Sequence, residues 1–123
     1  MTAAAAPVVL LVDNEPVVRA VLAEVLRQSG FDVRTAGSGA EAVEMARHTL
    51  PALVLMDVQM PGLSGWDALD RLHEARPTLP VLMMSGADFR DEALARGAAG
   101  FIAKPYRPVE VLRDVHEALG HAI

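Results

Sequence analysis

Short continuous runs of apolar residues alternate along the chain with longer stretches in which apolar residues recur every three to four positions. Val8-Val-Leu-Leu-Val12, Leu53-Val-Leu-Met56 and Pro80-Val-Leu-Met-Met84 are such runs, and each ends in a polar residue. A continuous apolar run bounded by turn residues fits a strand buried on both faces of a parallel sheet, although periodicity alone does not separate it from a buried helix. Pro51 before the second run and Pro61-Gly62 after it decide for a strand. Asp32–Ala36 alternates charged and small apolar residues, as an edge strand does, and Gly100–Ala103 supplies a fifth strand.

The intervening stretches carry helix signals. Pro16 suits a first helical turn, and Val17, Val18, Val21, Leu22, Val25 and Leu26 follow at helical spacing until Ser29-Gly30. Ser38 and Glu41 are spaced as a capping box for a helix carrying Ala42, Val43, Ala46 and Leu50. Ser64 and Asp67 give a similar start for a helix through Trp66, Leu69 and Leu72, closed by Pro77. A weak helix is expected from Phe89 to Arg96, with Phe89, Ala93 and Leu94 as its main buried groups and Gly97 as its stop. The last opens at Pro108, carries Val111, Leu112, Val115 and Leu119, and ends at Gly120.

Five strands alternating with five helices through short connections imply βαβ units, right-handed crossovers and a helix layer on each face of a parallel sheet. The first, third and fourth strands are the most apolar and the second is polar. That fits a flavodoxin-like, doubly wound α/β fold with strand order 2-1-3-4-5. The crevice at the strands' carboxyl ends, at the switch point between strands one and three, is then the expected ligand site.

Composition narrows the function. The 123 residues suit one domain, read as spanning 1–123 with residues 1–6 as a tail, and 52% apolar against 22% charged residues suits a compact fold. No apolar stretch reaches the length of a membrane span and no signal peptide opens the chain, so a soluble, cytoplasmic protein without a membrane partner is expected. There is no cysteine, and His48, His73, His116 and His121 lack the paired spacings of zinc sites. A net charge of -5 without a Lys/Arg cluster argues against nucleic-acid binding by this domain and for a protein partner.

The polar residues at the strand ends form a series: Asp13, Asn14 and Glu15 after the first strand, Asp57 after the third, Ser85 after the fourth and Lys104 after the fifth. Any one has a plain reading as a turn former, cap or solvated lysine, and Phe101 reads equally well as core. Together, at one edge of the sheet, they indicate a site.

The chain resembles the receiver domain of two-component response regulators, chemotaxis receivers included, over essentially its whole length. The resemblance is carried by Leu-Val-Asp13-Asn14-Glu15-Pro16, Leu-Met-Asp57-Val-Gln-Met-Pro61-Gly62-Leu-Ser-Gly65, Met-Met-Ser85-Gly86 and Phe101-Ile-Ala-Lys104-Pro105. It implies that Asp57 accepts a phosphoryl group from the phosphohistidine of a sensor histidine kinase or a histidine phosphotransfer protein. It implies Mg²⁺ held by Asp13, Asn14, Asp57 and the backbone carbonyl of Gln59, with Lys104 and Mg²⁺ neutralising the phosphoryl oxygens. Ser85 and Phe101 take the positions of the family's switch pair, and a downstream protein target reads the result. The Lys104-Pro105 peptide is expected to be cis.

Two departures stand out. Asn14 occupies the place of the family's second carboxylate, and the segment from Ser85 to Phe101 is about three residues shorter than in many receivers, by the family pattern. No output domain follows the fifth helix in the sequence, so a stand-alone receiver or the receiver of a longer regulator or hybrid kinase is expected. The resemblance implies no enzyme beyond self-catalysed aspartyl phosphorylation and dephosphorylation. A phosphatase with an aspartyl-phosphate intermediate commonly places an acid two residues beyond the nucleophile, where this chain has Gln59. A degenerate receiver that binds a protein without phosphorylation is the alternative.

Overall fold

A computed structural model describes residues 6–120. Its elements run β1 (Val8–Val12), α1 (Pro16–Gln28), β2 (Asp32–Ala36), α2 (Gly39–Thr49), β3 (Leu53–Asp57), α3 (Gly65–Ala75), β4 (Val81–Ser85), α4 (Arg90–Ala95), β5 (Gly100–Ala103) and α5 (Pro108–Ala118). The five strands form one parallel sheet in the order β2-β1-β3-β4-β5, the flavodoxin-like arrangement expected. Residues 1–5 of the expected tail, and His121, lie outside the described residues.

The continuous apolar runs are the strands covered on both sides. Every residue of β3 and β4 is buried, whereas edge strand β2 leaves Arg34 exposed and ion-paired to Asp32 at 2.9 Å. Alternate residues of one strand feed two cores. Leu10, Val12, Val54, Met56, Val81 and Met83 pack with α2 and α3 residues such as Ala42, Ala68, Leu69 and Leu72. Val9, Leu11, Leu53, Leu55, Leu82 and Met84 pack with Leu22, Leu26, Val111 and Val115 of α1 and α5. The strand methionines are core filler, as their unbranched side chains allow.

The expected caps form. The Ser38 and Ser64 hydroxyls accept from the amides of Glu41 and Asp67, both at 3.2 Å, each satisfying one orphan donor of a helix start.

Four expectations are corrected. Val17 and Val21 do not enter the core; they are 77% and 59% exposed, and the buried stripe of α1 is Leu22, Ala23 and Leu26. Leu50 is not a helical core residue but the cap of α2, 65% exposed in the left-handed conformation at φ 46°. Helix α4 has six residues, with Phe89 and Arg96 as caps rather than members. Of the three groups expected to anchor it, Leu94 is 51% exposed, because a helix of six residues buries a single position, Ala93.

Candidate functional site

The carboxyl ends of β1, β3 and β5 bring three charged side chains together. Asp13 follows β1, Asp57 closes β3 and Lys104 follows β5. The Lys104 ammonium donates to Asp13 Oδ2 at 3.0 Å and to Asp57 Oδ2 at 3.2 Å, so one cation serves two carboxylates. Both carboxylates are buried, Asp13 1% and Asp57 4% exposed, and two acids against one ammonium leave an excess negative charge out of water. Such an excess is costly to keep.

The local chain folds to hold these groups. The free Oδ1 of Asp13 accepts from the Glu15 amide at 2.9 Å, turning the chain into α1, and Asp57 Oδ1 accepts weakly from the Gln59 amide at 3.3 Å. Gly65 starts α3 in close contact with the end of β3, where its amide donates to the Val58 carbonyl at 3.0 Å. Lys104 is fixed through its main chain, whose amide donates to the Ser85 carbonyl at 2.8 Å, and the peptide to Pro105 is cis.

Burial raises the pKa of Asp57 above the ordinary carboxylate value; Lys104 pulls it down and Asp13 pushes it up, and the balance stays upward. For Lys104 burial works against the charge, but the hydrogen bonds and attraction from Asp13 and Asp57 outweigh it and its pKa is raised. The ammonium therefore stays charged across the neutral range.

The remaining predicted residues take different places. Ser85 is buried beside the site, and its Oγ accepts from the Ala87 amide at 3.1 Å. Its hydroxyl proton has no acceptor among the described residues. Phe101 is buried at 4% exposure, with the Arg90 guanidinium 5.7 Å from its ring centroid. Asn14 and Gln59 are exposed, so neither side chain joins the buried triad.

Sequence reasoning missed two neighbours. Arg19, one turn into α1, donates to the Asp13 main-chain carbonyl at 2.6 Å. Tyr106 lines a cleft with Glu15, Val18, Gly86, Lys104 and Pro105, and its burial raises the phenol pKa. The i to i+6 spacing of Asp13 and Arg19 carried no recognisable signal, and Tyr106 lies outside the strand-end series.

The fit to a divalent cation follows from the donors. No cluster of three or more His, Cys, Asp or Glu side chains with metal-site geometry occurs among the described residues. Two buried carboxylates with only one counter-ion are nonetheless a hard, oxygen-only, over-negative set, which suits Mg²⁺, a cation that keeps several waters and needs one or two carboxylates. Also among the described residues, no helix is long and apolar enough to cross a membrane.

Known proteins resemble this chain in sequence and in fold. Residues 9–116 match the family described as response regulator receiver domain. The transcriptional activator protein ExaE of Pseudomonas putida is 42% identical over 93% of this chain and 56% of its own, so the chain spans about half the length of that relative. A putative response regulator from Chloroflexus aurantiacus superposes with a TM-score of 0.88 at 32% identity, covering 94% of this chain and 99% of that one. The structure of a CheX-CheY-BeF3-Mg+2 complex from Borrelia burgdorferi contains a chain matching with a TM-score of 0.84 at 28% identity, over 89% of this chain and 87% of that one. The strand order, the shared Asp13–Lys104–Asp57 contacts and the matched span together place this chain in the response regulator receiver domain family of two-component systems.

Proposed function

We propose that this domain is a cytoplasmic signalling switch that accepts a phosphoryl group on Asp57 from the phosphohistidine of a sensor histidine kinase or a histidine phosphotransfer protein. The observation that carries this reading is the buried sharing of one ammonium by Asp13 and Asp57 at the carboxyl edge of the sheet. An Asp57 carboxylate oxygen attacks phosphorus, the bond from phosphorus to the donor imidazole nitrogen breaks, and the imidazole leaves with that electron pair. The product is an acyl phosphate.

Each neighbour has a role its position allows. Lys104, already 3.2 Å from Asp57, supplies positive charge to the added phosphoryl oxygens without having to travel. Ser85 offers its unengaged hydroxyl proton to one of those oxygens, which draws its loop inward. Phe101, packed beneath Arg90, follows that movement and changes the output face read by a downstream protein target. Asp13 and Asp57, with Asn14 and the Gln59 carbonyl, would hold Mg²⁺, which when bound supplies further neutralisation of the developing phosphoryl charge. The Borrelia neighbour's Mg²⁺ and beryllofluoride complex supports that part of the reading.

Incubation with acetyl phosphate and Mg²⁺, followed by intact mass measurement, tests the proposal. One added phosphoryl group is expected on the native chain and none on Asp57→Asn. An increment retained by the variant would place the chemistry elsewhere, and no increment on the native chain would favour the phosphorylation-independent binding module.

A further inference from the structure

Helix α4 has little to hold it. It is six residues long, and Ala93 is its one buried side chain. Isolated helices of this length do not persist in water, so its position depends on what it docks against.

Both of its ends meet the same ring. Trp66, the chain's only tryptophan, is the second residue of α3 and half-buried. Phe89, the residue that opens α4, meets the indole edge-on, with centroids 5.7 Å apart and planes at 80°. Arg96, the residue that closes α4, sets its guanidinium carbon 4.9 Å from the indole centroid. That guanidinium is itself aimed by Glu92, which it meets at 3.1 Å from within α4. Edge-to-face aromatic pairs and cations over an indole are both favourable arrangements, and tryptophan is the best ring for the second.

The indole is also close in the chain to the phosphoacceptor. Trp66 follows Gly65, whose amide is bonded to the carbonyl of Val58, the residue after Asp57. From the other side, Phe89 stands four residues after Ser85, whose hydroxyl holds the amide of Ala87. Changes at Asp57 and at Ser85 therefore converge on the Trp66–Phe89 contact.

We propose that Trp66 is a positioning residue, a clasp that pins both ends of α4 in the unphosphorylated domain, and that opening this clasp is the step by which the site moves α4. The coupling rests on the phosphorylation reading given above; the clasp itself does not. Contacts made in the resting state and lost in the activated state bias the equilibrium toward rest, so weakening them favours activation.

The test combines amide hydrogen exchange, tryptophan quenching by acrylamide and beryllofluoride titration in the presence of Mg²⁺, on the full chain. In the unmodified Trp66→Leu protein, exchange across residues 90–96 is expected to run roughly tenfold faster, the size expected for the loss of an aromatic and a cation contact. Arg96→Gln, which removes an exposed guanidinium and leaves the core intact, should give a smaller acceleration in the same residues. Both variants should bind beryllofluoride severalfold more tightly, and beryllofluoride should make Trp66 more quenchable in the native chain. Unchanged exchange across 90–96 in both variants would overturn the clasp. Faster exchange with equal or weaker beryllofluoride binding would overturn its link to activation. Failure of acetyl phosphate to modify the native chain would count against the phosphorylation reading, while exchange in the unmodified proteins would still decide the clasp.

Discussion

Replacing Gly65 by alanine should damage the fold, although the same change in an ordinary helical turn would strengthen it. Gly65 opens α3 without a positive φ, so backbone conformation alone permits a side chain there. In open space Gly→Ala in a helix gains about 1 kcal/mol. Here the added Cβ would collide with the Asp57 carbonyl oxygen and stand 2.8 Å from Val58 Cα and 3.0 Å from the Asp57 carbonyl carbon. All three are main-chain atoms of the strand exit, so no rotamer change can relieve them. Restoring contact distances requires α3 and the end of β3 to separate by roughly 1 Å, and overpacking of this kind costs about 3 kcal/mol at the upper end of its usual range. The net expectation is a loss of about 2 kcal/mol, or roughly 6–10 °C in Tm for a domain of this size. Urea and thermal unfolding of Gly65→Ala measure it, with Gly86→Ala as the control, since a Cβ at Gly86 meets nothing within 4 Å. A Gly65→Ala protein as stable as the native chain would refute the reasoning, because it would mean that the Asp57 strand end yields freely.

Three further outcomes are expected. The folded-state pKa of Asp57 lies above its unfolded value, so the folded state holds this proton more tightly, and stability from this group is lost as pH rises from about 3.8 through the raised pKa. Asp57→Asn should therefore be the more stable protein at pH 7, with a gap that closes on acidification through that window. Urea unfolding at several pH values checks this, and a less stable variant at pH 7 would contradict it. Leu50→Gly should stabilise by about 1 kcal/mol, because it relieves a left-handed leucine whose side chain is 65% exposed and packs little. No rise in Tm would show that the leucine compensates through contacts with α3. Asn14→Asp should tighten Mg²⁺ about tenfold, since a unit charge near the cation is worth roughly 4 kcal/mol at an effective dielectric of 20 and desolvation takes back much of that. Titration followed by Trp66 emission reads it, and superimposable curves would show that residue 14 stays out of the metal's reach.

The sheet and most of the site were legible in the sequence because each rests on a short-range signal. A strand buried on both faces must be apolar throughout, so the polar residue ending it is conspicuous, and Asp13, Asp57, Ser85 and Lys104 were found that way. Serine three residues before an acid marked the starts of α2 and α3. What escaped depends on tertiary placement. Val17 and Val21 have the spacing of a core stripe, and only the docking angle of α1 decides that Leu22 and Leu26 face inward instead. Leu50 continues an apolar pattern past the last residue that the helix can accommodate. The Phe89–Trp66–Arg96 arrangement joins residues from two helices that no sequence period relates.

The two hydrogen bonds of Lys104 also bear on how the chain matures. They span 91 and 47 residues and so join the beginning, middle and end of the domain. Until β5 docks, Asp13 and Asp57 face each other at the edge of an apolar sheet without a counter-ion, and like charges there resist compaction. Arrival of the last strand removes that repulsion. The residue that neutralises the two buried acids is thus also the one that closes the fold electrostatically, and a chain halted at residue 103 would possess all five strands yet lack the charge that lets them settle.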